Sequence, residues 1–449
     1  MNDSYRSGSL TLTASVAMGT GVMIGAGIFA LTGQVAELAG ALYPLAFLLA
    51  ALVSAFSAYS YIKVTRRYPD AGGIAMILQR AYGRSATSGT FALLMALSMI
   101  INESLVARTF GTYALQPFGI DGDSILVPVL ALALIGIVFL INLSGNATVS
   151  AVSTVTAIVK VGGILVFAGV AAWAGDFGFR PAEGGLGADT SLESFVAGVA
   201  LAILAYKGFT TITNSGSELV DPNRNVGRSI MISLGVCLVV YLLVTWGVGA
   251  TLSVEELVAA RDYALAEASR PALGQAGVWF TVAIAIVATA SGLLASTFAV
   301  SRMLAMLVDM RYLPDRDGLP GRTQQRTLVY TVTLAALTAA FFDLGRIASL
   351  GAIFYLVMDM AVHWGVFRHL REEVDAAAGV LLTAIALDAI ALGAFVWMKG
   401  HSDPTILGVA LVMMILTFLW QRWYVPRHPA HESEHAAAHA EGRTSSAAP

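Results

Sequence analysis

Four glycines lie within nine residues near the start of the chain, and their spacing fits two kinds of ligand site. Gly19, Gly21, Gly25 and Gly27 belong to the stretch MGTGVMIGAGIFALTG at residues 18–33. A glycine-rich loop can cradle nucleotide phosphates with its backbone N–H groups. In a membrane helix, glycines can instead mark an unwound segment whose freed N–H and C=O groups bind a small polar ligand. The first hypothesis predicts a nucleotide-dependent enzyme, and the second predicts a transporter.

The residues around the glycines argue against a nucleotide site. A dinucleotide loop requires a strand before it, a helix after it and an acidic residue about 20 residues further on. Here the glycines lie inside an apolar run, and the next acidic residue, Glu37, comes too early. The pattern G-x-x-x-x-G-K-[ST] of ATP-driven pumps does not occur. No nucleophile–base set or metal-ligand spacing occurs within the apolar runs, so we expect no enzyme, cofactor, metal site or nucleic-acid partner.

Composition indicates a polytopic membrane protein. The 449 residues are 57% hydrophobic and 12% charged, with a mean hydropathy of +0.74, whereas soluble proteins are near 25% charged. Runs such as residues 229–250 are long enough to cross a hydrocarbon layer about 30 Å thick. The single cysteine, Cys237, lies in one of these runs and cannot form an internal disulfide.

The apolar runs predict twelve spans, centred near residues 24, 52, 101, 134, 162, 205, 240, 290, 335, 357, 388 and 414. If residues 1–9 are cytoplasmic, 18 of the 26 Lys and Arg residues fall on the cytoplasmic side, five in external loops and three within spans. This bias predicts cytoplasmic termini and a location in the cytoplasmic (inner) membrane. The tail at 426–449 is predicted to be disordered, and its four histidines either are simply solvated or bind a metal.

A second glycine-interrupted span occupies the matching place in the other half of the chain. Residues 202–218 read AILAYKGFTTITNSGSE, with Gly208 and Gly216. Breaks at corresponding positions of two halves indicate a transporter binding site, although glycines also let membrane helices pack closely. The N-terminus of a half-helix suits a carboxylate, and unwound carbonyls suit an ammonium. Two facing breaks therefore predict a receptor for a zwitterion such as an amino acid.

Several motifs resemble those of the amino acid–polyamine–organocation permeases. MIGAGIF at 23–29 resembles the family's first span, and YPDAGGIAMILQRAYG at 68–83 resembles its loop after span 2. Residues 205–230 are similar to its span 6 pattern, and RMLAMLVDMRYLP at 302–314 to the end of its span 8. The resemblance covers residues 10–425 in order and is nearest to the proton-coupled branch that is similar to cationic amino acid transporters.

The resemblance implies an all-α, LeuT-like fold with alternating access. Two inverted five-helix repeats would occupy 10–175 and 194–371, and two further helices would occupy 376–425. The substrate carboxylate would bind amides of span 1, and the ammonium would bind carbonyls of span 6. The implied substrate site consists of Ile24, Gly25, Ala26, Gly27 and Ile28 in span 1, and of Ala202, Leu204, Ala205, Lys207 and Gly208 in span 6.

Lys160 and Glu103 are the predicted proton-coupling residues, because ionisable groups within spans are costly and mark function. In proton-coupled relatives, a lysine at the place of Lys160 in span 5 occupies the position that sodium has in sodium-coupled ones. An ammonium can replace a sodium ion among oxygens, and burial disfavours its charge, so it can release its proton. We expect coupling to protons rather than sodium. The alternative is a lysine that snorkels to the cytoplasmic face or stays in a salt bridge.

Other ionisable residues within spans leave two interpretations open, a proton relay or a structural ion pair. Glu103 and Arg108 are five residues apart on partly different faces of span 3, whereas Asp359 and His363 can meet at i, i+4 in span 10. Asp388 in span 11 is assigned to packing or to an oligomer contact.

Lys207 lies inside the predicted span 6 break, where relatives carry an apolar residue. It either recognises a second anionic group on the substrate or pairs with Glu103 or Asp359, and pairing is favoured because a free ammonium there is costly. A dibasic substrate is disfavoured either way, unless Glu103 more than balances the charge of Lys207.

Two motif positions carry further predictions. Leu204 replaces the aromatic residue that closes over the substrate in several relatives. We therefore expect the strength of this gate, or the size of the substrate, to differ from theirs. Glu218 is predicted to lock the cytoplasmic end of span 6 to Arg66, Arg67 or Arg224.

Taken together, these residues predict a secondary transporter that moves a small amino acid or related amine across the bilayer, with a proton as coupling ion. The alternatives are an exchanger without proton coupling and a non-transporting sensor on the same fold, because one fold hosts many functions. The oligomeric state is not predicted.

Overall fold

The computed structural model describes residues 10–69, 73–120, 122–143, 146–178, 190–314 and 323–428. Inside its helices, the side chains of residues 25, 26, 146–155, 157 and 158 are not described. The predicted tail at 429–449 and its histidines beyond His428 lie outside the described residues. Apart from one bridge between Leu10 and Leu219, the described part of the chain contains helices, turns and loops but no strand.

The helices follow one another with short connections. In chain order they are α1 (Leu12–Ala39), α2 (Tyr43–Arg67), α3 (Gly73–Tyr82), α4 (Ala86–Leu115), α5 (Leu126–Leu143), α6 (Asn146–Ala174), α7 (Leu192–Tyr206), α8 (Thr210–Asn214), α9 (Pro222–Thr251), α10 (Val254–Ala259), α11 (Ala264–Ala268), α12 (Arg270–Asp309), α13 (Thr323–Phe341), α14 (Leu344–Gly365), α15 (Ala378–Ser402) and α16 (Pro404–Tyr424). Non-helical geometry at Gly274 kinks α12 near its start.

Local sequence sets the ends of several helices. Ser85 and Ser88 form a capping box at the start of α4, and each side chain accepts a backbone N–H that the helix leaves unpaired. Gly40 has φ of +53°, a conformation that favours glycine, and it forms the tight turn between α1 and α2. These signals explain why the long apolar runs fold as separate antiparallel helices.

Burial divides the bundle into a shielded centre and an apolar periphery. The apolar stretches of α4 and α7 are largely buried, whereas most of the stretch in α16 is exposed, including Leu411, Leu416 and Trp423. A helix that exposes large apolar side chains at its outer face is suited to contact lipid. The centre of the bundle therefore holds the segments in which the substrate site is predicted.

Helices occur at all twelve predicted centres, and nine stretches among the described residues are long and apolar enough to cross a membrane. One of the nine, residues 27–67, joins parts of α1 and α2. The chain is thus a multi-pass membrane protein, while the number of crossings, the repeat boundaries and the orientation of the termini stay predictions.

Candidate substrate and coupling site

Span 6 changes its helical geometry where the break is predicted, but it does not unwind. α7 ends at Tyr206, a 3₁₀ turn follows over Lys207–Phe209, and α8 continues to Asn214. The carbonyl oxygen of Lys207 accepts the backbone N–H of Thr210 and also its hydroxyl at 2.9 Å. Free backbone groups for a substrate in span 6 therefore remain a prediction.

The predicted unwinding of span 1 is wrong for this structure. α1 runs from Leu12 to Ala39 as one helix, and Gly25, Ala26 and Gly27 are helical within it. In a continuous helix the amides of residues 24–28 bond carbonyls of the preceding turn. They are therefore not available to a carboxylate in this state, and their role in substrate binding remains a prediction.

Glycines let the two segments approach each other closely. A Cβ atom on Gly27 would lie 2.8 Å from the Cβ atom of Ala205, and one on Gly208 would lie 2.6 Å from the Cγ atom of Met23. Each distance is shorter than a normal contact, so both glycines serve helix packing. The same approach brings the two halves of the predicted substrate site together.

Tyr241 of α9 bridges these halves, and sequence reasoning did not identify it. Its hydroxyl lies 2.7 Å from the carbonyl oxygen of Met23 in α1 and 3.1 Å from that of Ala205 in α7, so it can donate to either. A tyrosine in an apolar span needs a partner for its hydroxyl, and this was the signal available in the sequence.

The described residues of the predicted site are shielded from solvent. Lys207 is the most exposed of their non-glycine side chains, at 6%. The other buried members are Ile24, Gly27, Ile28, Ala202, Leu204, Ala205 and Gly208. The structure thus presents the meeting point of α1 and span 6 in a closed state.

Loops and ion pairs cover this region at both ends. At one end, the Gln34 amide donates to Asp262 at 2.6 Å, and burial raises the pKa of that loop carboxyl. At the other, Arg302 of α12 pairs with Glu218, and the Leu10 amide donates to the Glu218 carbonyl at 2.8 Å. Glu218 thus pairs with an arginine, as predicted, but this arginine comes from α12 and is none of the examples Arg66, Arg67 and Arg224.

Lys160 contacts span 1, as its predicted role requires. Its side chain is 3% exposed, and its ammonium donates to the carbonyl oxygen of Gly21 at 2.7 Å. A Cβ atom on Gly21 would lie 3.5 Å from the Lys160 Nζ atom, an ordinary van der Waals distance, so this contact does not require glycine at residue 21. The lysine does not snorkel to the surface, and no ion pair of its side chain is found among the described residues.

Lys207 does not pair directly with either predicted carboxylate. Its ammonium donates to the Ser98 carbonyl at 3.0 Å and to the Ser98 hydroxyl at 3.3 Å. Glu103 lies close enough to act on it electrostatically but not as an ion pair within 4 Å. The Glu103 side chain is 1% exposed, and the hydroxyl of Thr297 in α12 is close enough to interact with its carboxyl group. Recognition of a second anionic group by Lys207 remains a prediction.

A second buried cluster forms away from Lys207. The Nε2 atom of His363 lies 3.5 Å from an oxygen of Asp359 and 3.5 Å from an oxygen of Asp388. Ser57 and Tyr61 of α2 donate to Asp359. Asp359 and His363 meet as predicted, and Asp388 packs against them inside the chain. The three groups lie within 4.8 Å of one another, a set that can share protons or hold a cation.

Arg108 lies apart from Glu103. Its guanidinium donates to the Ala339 carbonyl of α13 at 2.9 Å. The predicted span 3 pair is therefore not formed, because the two residues point to different neighbours.

Comparison with known proteins agrees with these features. Residues 10–420 match the model of the amino acid permease family. The inner membrane transport protein YbaT of Escherichia coli is 29% identical over 91% of this chain and 95% of its own. The branched-chain amino acid permease BcaP of Lactococcus lactis is 26% identical over 83% of this chain and 84% of its own. The mitochondrial cationic amino acid transporter 3 of Arabidopsis thaliana is 26% identical over 78% of this chain and 60% of its own. The chain therefore belongs to the amino acid permease family, within the amino acid–polyamine–organocation superfamily, and is a permease rather than an enzyme.

Proposed function

We propose that this protein is a secondary transporter that carries a small amino acid or related amine across the cytoplasmic membrane by alternating access. The observation that carries the proposal is the buried 3₁₀ turn at Lys207–Phe209, packed directly against α1. Polar backbone at membrane depth is tolerated where it is buried or lines a binding cavity. The family match and the names of two relatives, an amino acid permease and an amino acid transporter, support the substrate class.

Substrate binding in this proposal requires α1 to open near Gly25–Gly27. The closed structure has α1 wound and the site shielded, so substrate would enter only when α1 and span 6 separate. The carboxylate would then meet amides of residues 24–28, and the ammonium would meet carbonyls at the end of α7. Binding energy spent on opening α1 would link substrate occupancy to the change of access.

The proposed coupling ion is the proton. Lys160 places a cation against a carbonyl of α1, where a sodium ion would otherwise bind oxygens. Glu103 is a buried carboxyl close to Thr297 and Lys207, and such a group is a candidate proton carrier. Movement of α1 would change the surroundings of Lys160 and so link proton release to substrate movement.

Counterflow tests the transport proposal. Purified protein is reconstituted in liposomes loaded with one unlabelled amino acid at a time, and entry of the same labelled amino acid is followed. We expect saturable exchange with at least one of the twenty, and empty liposomes provide the control. Absence of exchange with all twenty, in protein that remains folded, would contradict transport and favour a sensor.

A further inference from the structure

A groove with a volume of about 530 Å³ lies between α2 and α9, at the end of the bundle where α2 ends and α9 begins. Arg66 and Ile62 line it from α2, and Arg224, Arg228 and Met231 line it from α9. The charge distribution of the chain predicts that this end is cytoplasmic. The groove is separate from the substrate region, which lies between α1 and span 6.

The groove gathers positive charge, and no carboxylate is among the described residues that line it. Arg224 and Arg228 are at i, i+4 on one face of α9, and Arg66 faces them from α2. None of the three guanidinium groups forms an ion pair or hydrogen bond with another side chain in the described ranges. The start of α9 adds the positive end of a helix dipole. Three cations held together in this way suit an anionic group such as a phosphate.

The groove continues into an apolar surface. Beyond Met231, the outward face of α9 exposes Ile232, Val236, Val239 and Leu243, each between 38% and 56% exposed. Their spacing of three to four residues places them along one side of the helix. A ligand in the groove would thus have its anionic head among the arginines and an apolar chain along α9.

We propose that the groove binds the headgroup of an anionic phospholipid, with an acyl chain lying along the exposed face of α9. Basic pockets between membrane helices on the cytoplasmic side recognise such headgroups. A free phosphate compound would use the arginines but would gain nothing from the apolar surface. Gly227 sets the width of the groove, because a Cβ atom there would lie 2.9 Å from the Cγ2 atom of Ile62.

Native mass spectrometry of the full chain in neutral detergent tests the site. Phosphatidylglycerol and phosphatidylcholine with matched acyl chains are titrated separately. We expect one phosphatidylglycerol to bind with clear preference, and R224Q/R228Q to bind it about tenfold more weakly. The control R368Q/R422Q removes two arginines from the same end of the bundle and should bind as the wild type does.

The remaining measurements distinguish a lipid headgroup from a small free anion. They also provide for the case in which a variant does not fold. Glycerophosphoglycerol, which lacks acyl chains, should not compete at the concentration of lipid that saturates the site. Competition at equal concentration would identify a small-anion site and overturn the lipid proposal. Equal phosphatidylglycerol binding by wild type and R224Q/R228Q would overturn the site itself. If that variant does not fold, Arg66→Gln on α2 tests the same site from the opposite wall.

Discussion

Span 1 and span 6 carry similar glycine patterns, but span 6 tightens to a 3₁₀ turn, whereas span 1 stays α-helical. In span 6 the glycine follows a lysine and precedes several threonines, and the hydroxyl and backbone N–H of Thr210 both donate to the Lys207 carbonyl. In span 1, Thr20 lies between Gly19 and Gly21, and its hydroxyl donates to the Val16 carbonyl at 2.7 Å while the helix stays continuous. Glycines with threonine neighbours therefore do not by themselves decide whether a span leaves the α-helix. Each segment also involves one buried lysine: Lys160 of α6 contacts span 1, whereas Lys207 belongs to span 6 and contacts Ser98 of α4.

The largest expected effect separates the two lysines. Lys160→Ala should abolish amino acid accumulation driven by an inward proton gradient, because no titrating cation then contacts Gly21, while counterflow exchange persists. Uptake and counterflow are measured in the same proteoliposomes. Lys160→Arg is the control that keeps the charge but cannot release a proton at ordinary pH, and it should also lose proton-driven accumulation. Unchanged accumulation in Lys160→Ala would contradict the assignment.

Lys207 should instead determine which substrate is accepted, or it should compensate the charge of Glu103. If it contacts the ligand, Lys207→Met should change the order of substrate preference in counterflow. If its role is to balance Glu103, the effects of Lys207→Met and Glu103→Gln should be non-additive in the double variant. Unaltered selectivity with additive effects would exclude both roles.

Because α1 and span 6 approach each other closely, an added methyl group should lower stability by an amount that depends on its position. Gly27→Ala should lower thermal stability more than Gly208→Ala. A Cβ atom on Gly27 would lie 2.9 Å from the Ala205 backbone, whereas one on Gly208 would lie closest to the flexible Met23 side chain and 3.0 Å from the Met23 backbone nitrogen. The cost of overpacking is about 1–3 kcal/mol. Gly169→Ala in α6 has open space and serves as the control. Melting temperatures in detergent report the order, and equal losses at Gly27 and Gly169 would contradict the packing.

Tyr241→Phe should have a smaller effect. Removing the hydroxyl leaves the carbonyls of Met23 and Ala205 without their shared donor and costs about 1 kcal/mol. We also expect a change in the apparent KM for exchange, because the bridge joins the two halves of the site. A variant with wild-type stability and KM would show that the bridge does not hold them together.

The smallest expected effect concerns Asp262, in the loop that covers the C-terminal end of α1. Burial raises the pKa of Asp262, so its ionised form costs stability at neutral pH and that cost decreases as pH falls through the folded pKa. Asp262→Asn should raise the melting temperature by roughly 1–2 °C at pH 8, and the difference should shrink at acidic pH. A difference that does not vary with pH would exclude this cause.

Most of the fold and part of the site could be predicted from the sequence. Apolar runs located helices at all twelve centres, and the span 6 motif located the change to a 3₁₀ turn at Lys207. It could not locate contacts between distant segments, such as Tyr241 with Met23 or Glu218 with Arg302, because these depend on how helices cross. It also misjudged span 1, since a glycine pattern does not record whether the helix is wound in a given state.

Proton-driven uptake in the absence of sodium tests the central claim most directly. Proteoliposomes containing the wild-type protein receive the labelled amino acid identified by counterflow, with an inward proton gradient and sodium-free buffers. We predict accumulation above the external concentration that collapses when a protonophore dissipates the gradient. Accumulation that requires sodium, or equilibration without accumulation under the proton gradient, would contradict proton-coupled transport by this permease.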